Sequence, residues 1–309
     1  MTPVAVIAHS GKTMGGGLLE LRQALDAEGI TDPQWFEVPK SRKAPRRVKE
    51  ALDNGAELIF VWGGDGMVQR CVDALAGSKA TLAILPAGTA NLFATNLGIP
   101  QDVAAAVEIG LRGSQRMLDS AVFNGEHFAV MAGVGYDARM IRDASGGLKD
   151  KLGRVGYIWT GAKNLRLEPF KATIRVDGAH WYRGKASCIL VGNVGSLMGG
   201  IEVFPDARPD DGKLELGVVT ADGLVQWART LARTAAGTPS KSPYVQTTTA
   251  RSVKIELDRK VLYELDGGDR TKTKSLEIEV HPGSIRVCVP ATSELAPFPE
   301  PALEGTSAQ

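Results

Sequence analysis

A glycine-rich junction in the segment LIFVWGGDGMVQRCVDAL, residues 58–75, is the strongest constraint on the fold of this 309-residue chain. The apolar run at residues 58–62 is typical of a strand that is buried on both faces, as in a parallel sheet covered by helices. After the glycines, apolar residues recur at helical spacing. The glycines therefore lie between the carboxyl end of a strand and the amino end of a helix, where open α/β sheets bind ligands.

The residue types at this junction favour a phosphate-bearing ligand. Gly63, Gly64 and Gly66 let a ligand approach the backbone, and the free N–H groups at the helix start attract anions. Asp65 would repel a phosphate unless a cation lay between them, so the combination predicts a nucleotide accompanied by Mg²⁺. The alternative is a tight turn in which Asp65 caps the helix that follows it. That alternative accounts for the aspartate but not for the glycines around it.

A second strand-to-helix turn lies near the amino end, at SGKT, residues 10–13. A phosphate-binding P-loop would require glycine where Val6 stands, so the P-loop pattern fails. Ser10, Gly11 and Lys12 still follow an apolar run and precede a helical pattern. They are either a second phosphate-facing turn or a plain connecting loop.

A third turn of this kind is LPAGTANLFATNLGIP, residues 85–100. Gly88 shapes a turn after a strand, Thr89 is placed to cap the next helix, and Asn91 offers an amide within one helical turn. Because the carboxyl ends of parallel strands meet at one edge of a sheet, the three turns together predict one binding site there.

Residues 1–118 alternate apolar runs with helical patterns, which predicts an α/β domain around a parallel sheet. From about residue 119 the pattern changes to short strands joined by turn signals such as Asn124-Gly125 and Asp177-Gly178. This pattern favours a mostly antiparallel, sandwich-like β domain over residues 119–291, with helices at 149–165 and 222–235. Residues 292–309 are rich in proline, alanine and acids, and we expect a disordered tail there.

Composition argues against several classes of protein. A net charge of +1 gives no general attraction for nucleic acid. The three cysteines lie far apart without metal-ligand spacing, and the four histidines form no metal pattern, which favours a reducing compartment. No signal sequence or membrane-spanning run is recognisable, so we expect a cytoplasmic protein.

The ordered set of motifs resembles the diacylglycerol kinase catalytic-domain family of lipid kinases, which includes sphingosine and ceramide kinases. The resemblance rests on GGDG, PAGTANLFATNLGIP, NGEHFAVMAGVGYDARMI, LKDKLGRVGYIW, FPDARPDDGKLELGVV and YELDGGD, which begin at residues 63, 86, 124, 148, 204 and 263. It implies an amino-terminal domain similar to phosphofructokinase and NAD kinase, with ATP bound in the cleft beside the β domain. It also implies transfer of the γ-phosphoryl group to a lipid hydroxyl, with diacylglycerol giving phosphatidic acid.

Carried over motif by motif, the resemblance assigns a role to each candidate residue. The nucleotide-binding set is Ser10, Gly11, Lys12, Gly63, Gly64, Asp65, Gly66, Gly88, Thr89 and Asn91. Asp65 is directed towards Mg²⁺ and the phosphates, and Asp211 matches a position that holds a structural Mg²⁺ in bacterial members. Asp266 corresponds to the proposed general base for the acceptor hydroxyl. By themselves, however, Asp266 and Gly267 are also the commonest sequence of an ordinary hairpin turn.

The chain departs from the family's usual residues at several positions near the site. Met67, Gln69 and Arg70 stand where threonine, asparagine and glutamate are usual, Leu92 replaces an aspartate, and Gly268 replaces a glutamate. These changes keep open a catalytically silent protein that binds nucleotide or lipid. The shared GGDG fold keeps open an NAD kinase-like enzyme.

Two segments combine basic with apolar residues. Residues 39–50, PKSRKAPRRVKE, suit anionic lipid headgroups, ATP phosphates or a solvated helix face. Residues 147–167 suit either a membrane interface or core packing. Together with the resemblance they imply a lipid substrate and transient peripheral contact with the inner membrane face. Dimers occur among similar bacterial proteins, so a homodimer is a further expectation.

Overall fold

The structure, a computed structural model, describes residues 3–135, 169–197 and 201–291. Its amino-terminal part contains four parallel strands: β1 (Val4–His9), β2 (Gln34–Val38), β3 (Leu58–Gly63) and β4 (Thr81–Pro86). They lie in the order β2-β1-β3-β4. Every residue of β3 and β4 is buried, which confirms the two-sided burial predicted from their unbroken apolar runs.

Helices connect these strands, as the alternating pattern predicts. They are α1 (Gly17–Ala27), α2 (Ala44–Asp53), α3 (Asp65–Leu75), α4 (Leu92–Asn96) and α5 (Val103–Arg112), with a 3₁₀ helix at Ser41–Lys43. Helix α1 packs against α5, and α2 packs against α3. The helix expected from Thr89 is shorter than its pattern, because Gly98 with φ of 72° and the following Pro100 end it.

The second half of the chain is mainly antiparallel. One six-stranded sheet contains β7 (Met131–Val134), β10 (Cys188–Gly192), β13 (Leu214–Val219), β14 (Val245–Ala250), β16 (Tyr263–Leu265) and β17 (Gly268–Asp269). Its order is β14-β13-β10-β7-β16-β17. A separate short ribbon pairs β11 (Ser196–Leu197) with β12 (Ile201–Glu202).

The remaining strands extend the first sheet. They are β5 (Ser114–Phe123), β6 (Glu126–Phe128), β8 (Phe170–Val176), β9 (Ala179–Ala186), β15 (Ser252–Val261) and β18 (Thr273–Val289). Strand β18 pairs in parallel with β4 and antiparallel with β5 and β15. The first sheet therefore continues from the α/β half into the β half. The domain boundary after residue 118 falls inside β5 and remains a prediction.

Buried apolar residues of β5, β8, β15 and β18 pack against those of β7, β10 and β13. This sandwich core confirms the predicted architecture of an α/β half followed by a β-sandwich-like half. The helix predicted at residues 222–235 is α6 (Gly223–Ala235), followed by a 3₁₀ helix at Pro239–Lys241. The predicted helix at 149–165 and the tail at 292–309 lie outside the described residues.

Both hairpin turns predicted from asparagine-glycine and aspartate-glycine pairs are present. Asn124 and Gly125 have φ of 51° and 78° between β5 and β6, and Asp177 and Gly178 have φ of 51° and 81° between β8 and β9. Consecutive positive φ values are the pattern of a type I′ turn. Within the described ranges, no helix is long and apolar enough to cross a membrane.

Candidate active site

The GGDG turn and the turn at residues 86–91 touch each other at two glycines. A Cβ on Gly64 would lie 3.0 Å from the Cα of Gly88, and one on Gly88 would lie 2.4 Å from the Cα of Gly64. A Cβ on Gly63 would collide with the side chain of Met67 at 2.5 Å. Close packing therefore requires these three glycines. Gly66 differs, since a Cβ there would meet nothing within 4 Å.

The carboxylate of Asp65 joins the two turns. Its Oδ2 accepts the N–H of Asn91 at 3.0 Å, and its Oδ1 accepts the N–H of Leu92 at 2.5 Å. Asp65 therefore satisfies the start of α4 and does not cap its own helix, α3, whose N-cap is Gly64. The expectation that Thr89 caps the helix after the third turn is wrong, because Asp65 takes the free N–H groups there. Burial raises the pKa of Asp65, while its backbone hydrogen bonds oppose the shift.

Asn91 shapes the turn and does not line the cleft. Its Oδ1 accepts the N–H of Gly88 at 2.8 Å, and its Nδ2 donates to the carbonyls of Pro86 and Gly88 at 3.1 and 2.9 Å. Its own φ is 49°, which asparagine tolerates better than most residues. The amide predicted to face the phosphates is therefore used to hold the turn.

In the first turn, Lys12 faces the cleft, whereas its neighbours do not. The carbonyl of Lys12 accepts the indole N–H of Trp62 at 3.0 Å, which fixes this loop against β3. The hydroxyl of Ser10 donates to the carbonyl of Val38 at 3.4 Å, and the N–H of Gly11 donates to Nδ1 of His9 at 3.1 Å. His9 itself lines the cleft, although its sequence context gave no sign of a site.

Asp266 enters the cleft from the six-stranded sheet. It and Gly267 have φ of 47° and 74° between β16 and β17, so the hairpin interpretation is correct in geometry. The side chain is nevertheless 3% exposed, and its carboxylate accepts three backbone N–H groups. Oδ1 accepts from Val130 and Met131, and Oδ2 accepts from Ala129, each at 2.9 Å.

The pKa of Asp266 is raised to about 6. Burial is the largest cause, and the charge of Asp65 adds to it, while the backbone N–H donors lower the pKa. A carboxylate with a pKa this close to neutrality holds a proton more strongly than an exposed aspartate does. It is therefore suited to accept a proton during a reaction.

These side chains surround a cavity of about 340 Å³ between the parallel turns and the antiparallel sheet. It is lined by His9, Lys12, Ser41, Gly64, Asp65, Gly66, Met67, Gly88, Thr89, Ala90, Leu92, Val130, Met131, Leu197, Glu264, Asp266 and Gly267. The cavity brings together seven predicted residues from both halves of the chain. Of the other candidates, Ser10, Gly11, Gly63, Asn91 and Asp211 do not line it.

Glu264 is a cleft residue that sequence reasoning missed. It is 6% exposed and lies on β16, two residues before Asp266, which follows the end of that strand in the turn to β17. A Cβ on Gly133, its partner on β7, would lie 2.9 Å from Oε1 of Glu264, so glycine makes room for this carboxylate. Its place two residues before Asp266, within the segment YELDGGD, was the signal that could have identified it.

Asp211 lies in a different cavity, with Asp119, Asp210, Arg251 and Glu279 among its neighbours. Its Oδ1 accepts the N–H of Lys213 at 2.9 Å. Asp119 accepts the N–H groups of Gly212 and Gly283, and burial raises its pKa. No group of three or more His, Cys, Asp or Glu is arranged to hold a metal in the described part of the chain. Metal binding by Asp211 stays a prediction.

An apolar cavity of about 80 Å³ adjoins the cleft. Its walls come from β10, β13, α6 and the β11-β12 ribbon, and they include Leu190, Phe204, Trp227 and Leu231. Leu197 lines both cavities. The two cavities therefore meet at this leucine.

Two protein families match the two halves of the chain. The diacylglycerol kinase catalytic domain matches residues 3–123, and the YegS C-terminal NAD kinase beta sandwich-like domain matches residues 130–289. A Klebsiella pneumoniae protein named "Probable lipid kinase YegS-like" is 32% identical over 295 residues, which cover 93% of this chain and 96% of that protein. The chain belongs to the family of YegS-like lipid kinases.

Other members are similar in sequence and in structure. A Pseudomonas syringae protein of the same name is 32% identical over 259 residues, covering 81% of each chain. A crystal structure of a candidate diacylglycerol kinase from Bacillus anthracis has 27% identity and a TM-score of 0.77, covering 93% of this chain and 97% of that one. The resemblance found in the sequence is thus confirmed, together with the fold that it implies.

Proposed function

We propose that this lipid kinase transfers the γ-phosphoryl group of ATP to the hydroxyl of a lipid, with diacylglycerol as the acceptor and phosphatidic acid as the product. One observation carries the proposal. The glycine turns with Asp65 and Lys12 form one wall of a single cleft, and Asp266 projects from the opposite wall. Phosphoryl transfer needs this combination of a phosphate cradle and a carboxylate at the acceptor side.

In the proposed reaction, the phosphates lie against the turns at Gly64–Gly66 and Gly88–Thr89. Backbone N–H groups at the start of α3 and the ammonium group of Lys12 offset their negative charge. Asp266 takes the proton of the acceptor hydroxyl as that oxygen bonds to the γ-phosphorus. The bond between that phosphorus and the β–γ bridging oxygen breaks in the same step, and ADP leaves with the electron pair. A carboxylate oxygen accepts about two hydrogen bonds, and Oδ2 of Asp266 accepts one, from Ala129, so it has a position left for this proton.

The cleft suits an Mg²⁺ ion that arrives with the nucleotide. Mg²⁺ in kinase sites is bound by about one or two carboxylates together with substrate phosphates, and it does not need a protein cage. Asp65 and Glu264 both line the cleft, and the carboxylate of Asp65 also accepts backbone N–H groups at the start of α4. These two side chains would hold the ion, which would neutralise phosphate charge.

The adjoining apolar cavity supports a lipid acceptor over a polar one. An acceptor whose hydroxyl reaches Asp266 can place an apolar portion beyond Leu197, among Leu190, Trp227 and Leu231. Burying such a portion contributes roughly 0.8 kcal/mol for each CH₂ group. We also propose that the protein meets its acceptor at the inner membrane face as a peripheral cytoplasmic protein. A homodimer remains a prediction, which light scattering in solution would test.

Incubation with labelled ATP and Mg²⁺ tests the proposal. The purified protein is given mixed micelles of diacylglycerol, with sphingosine, ceramide and soluble NAD as parallel acceptors. Label in diacylglycerol that is lost in the Asp266→Asn variant supports the proposal in full. Label in NAD alone would contradict a lipid acceptor. ATP binding without label in any acceptor would favour a catalytically silent protein, an alternative motivated by the backbone hydrogen bonds on both aspartates.

A further inference from the structure

A network of charged and amide side chains lies beside the cleft without lining it. We call Gln69, Arg70, Glu126 and Arg270 the Glu126 network, because the other three side chains each contact the carboxylate of Glu126. Gln69 and Arg70 belong to α3, Glu126 opens β6, and Arg270 follows β17. The network therefore joins three segments that are far apart in the sequence.

The contacts at Glu126 are numerous for a surface-facing residue. Its Oε1 forms an ion pair with Nη1 of Arg70 at 3.0 Å. The same oxygen accepts hydrogen bonds from Nε2 of Gln69 at 3.2 Å and from Nη2 of Arg270. Its Oε2 accepts from Nε of Arg270 at 3.2 Å. Burial alone would raise the pKa of Glu126, but these cationic and amide partners hold it below its ordinary value. The carboxylate is thus ionised and fully engaged at neutral pH.

The network is anchored to the backbone on both sides. Nε2 of the buried Gln69 also donates to the carbonyl of His127 at 2.7 Å. Nη1 of Arg270 donates to the carbonyl of Gly268 at 3.0 Å, and the backbone N–H of Arg270 donates to the carbonyl of Tyr263 at 3.0 Å. Arg270 therefore contacts both strands of the hairpin whose turn carries Asp266, with its backbone N–H on β16 and its guanidinium on β17.

Gly268 makes this contact of Arg270 sterically possible. A Cβ at residue 268 would lie 2.7 Å from Nη1 of Arg270, in the space that the guanidinium occupies. Gly268 and Arg70 are two of the positions at which this chain differs from the usual residues of the family that it resembles. In the structure, Arg70 contacts Glu126 directly, and Gly268 leaves the space in which the guanidinium of Arg270 lies.

The network links the two walls of the cleft. Helix α3 begins at Asp65, and Gln69 and Arg70 lie one turn further along it. The other end of the network holds β16 and β17, between which Asp266 lies. We propose that the Glu126 network is a positioning device that sets the distance of Asp266 from the phosphate turns. This inference rests on the proposed function, and it gives Glu126 and Arg270 a role at a site that they do not touch.

The test combines kinetics with amide hydrogen exchange in the full-length protein. Glu126→Gln and Arg270→Gln should each lower kcat for the lipid acceptor by about 10- to 100-fold, since misplacing a reacting group by about 1 Å costs about 100-fold. The KM for ATP should change by less than about 3-fold, since neither residue lines the cleft. Exchange in peptides covering residues 263–270 should accelerate, because each substitution breaks the contacts that join Arg270 to Glu126 and so hold this hairpin against α3 and β6.

A matched control is available on another face of the molecule. Glu277→Gln removes an ion pair with Lys254 that joins β15 to β18 away from both cavities, and it should leave kcat and exchange at 263–270 unchanged. Arg270→Lys keeps the charge but loses the fork that reaches Glu126 and Gly268. We expect its kcat to lie between those of the wild type and Arg270→Gln.

The outcomes separate this inference from the proposed function. Unchanged kcat and unchanged exchange in Glu126→Gln would overturn the positioning role. A uniform loss of stability, with faster exchange throughout the chain, would also overturn it by making the network a general structural element. If the wild type phosphorylates no lipid, the proposed function fails. Localised exchange at 263–270 in the variant would then still support the linkage of the two walls, and its absence would overturn it.

Discussion

The two walls of the cleft hold their aspartates by the same kind of contact but in different settings. Asp65 accepts N–H groups from a neighbouring helix start, and Asp266 accepts N–H groups from a neighbouring strand connection. The wall that carries Asp65 is formed by turns of the parallel sheet, and the glycines in these turns indicate close backbone packing. The wall that carries Asp266 is formed by a hairpin whose sequence is common on protein surfaces. The comparison shows that backbone N–H groups can hold a carboxylate in a fixed position on either a parallel or an antiparallel sheet.

The burial of the two aspartates separates their proposed roles. Asp266 is buried at 3% exposure with its pKa raised to about 6. Asp65 is partly exposed, and although burial raises its pKa as well, backbone N–H donors that include Asn91 and Leu92 oppose that rise. A proton acceptor benefits from a raised pKa, while a group facing phosphate and cation benefits from remaining ionised. The following variants test this division of labour between the walls.

Asp266→Asn should give the largest effect. We expect kcat to fall about 100-fold or more, because general-base catalysis contributes about 10²- to 10⁴-fold, while ATP binding persists. Asp177→Asn is the matched control, since Asp177 also opens a hairpin with positive φ and accepts two backbone N–H groups, from Arg251 and Ser252. It lies outside the cleft and should keep full activity. Equal losses in both variants would identify the hairpin geometry, and not the carboxylate, as the cause.

The pH dependence of kcat should show the raised pKa. The ionised form of Asp266 accepts the proton, so kcat should be constant above neutral pH and fall as the pH drops through about 6. At about pH 5 only about a tenth of the groups remain ionised, and kcat should be about a tenth of its plateau. An acid limb near pH 4 would mean that the carboxylate is less buried during turnover than in the free protein.

Two glycine variants in the GGDG turn should distinguish the effect of backbone packing on stability from the effect of the turn on ATP binding. Gly64→Ala forces a Cβ against the Cα of Gly88 and should destabilise the fold by about 1–3 kcal/mol. Gly66→Ala meets no neighbouring atom and should keep or slightly raise the melting temperature, since alanine stabilises a helix by about 1 kcal/mol over glycine. It should still raise the KM for ATP about 3- to 10-fold by crowding the phosphates. A normal KM in Gly66→Ala would remove this turn from the nucleotide site.

The smallest effect is expected at the apolar cavity. Leu190→Phe narrows that space, and we expect the KM for the lipid acceptor to rise about 3-fold with the KM for ATP unchanged. Leu19→Phe, at a side chain 67% exposed on α1, is the control. The assay uses one chain length of diacylglycerol in micelles. If both variants behave alike, the cavity does not receive the acceptor.

The sequence allowed the fold to be predicted where local patterns and long-range packing agree. Buried strands such as β3 and turns such as Asn124-Gly125 were recognisable because their residue types have one strong structural use. The partnership of β18 with β4 was not recognisable, since strand pairing over more than two hundred residues leaves no local pattern. The position of the candidate site followed from glycine turns and from the family resemblance, and the structure places Asp266 beside them.

The hydrogen-bond partners of each polar side chain in the site could not be predicted from the sequence. Asn91 and Asp65 both carry groups suited to a ligand, yet their described hydrogen bonds hold the turns together. Glu264 and His9 line the cleft, although the sequence assigned neither of them a role there. A side chain's partners depend on which segments the tertiary fold brings within about 3 Å, and residue type alone does not determine that.

The route of β18 also affects how the protein is made. Synthesis proceeds from the amino end, so β4 leaves the ribosome long before Arg286 and Val287, which pair with Thr81 and Leu82. Until then one edge of the parallel sheet has its hydrogen-bonding groups exposed, as at any unpaired strand edge that invites association with other chains. The amino-terminal half is thus completed only when nearly the whole described chain has emerged. A fragment ending at Phe123 should accordingly aggregate during expression, and adding the separate β half in the same cell should rescue its solubility.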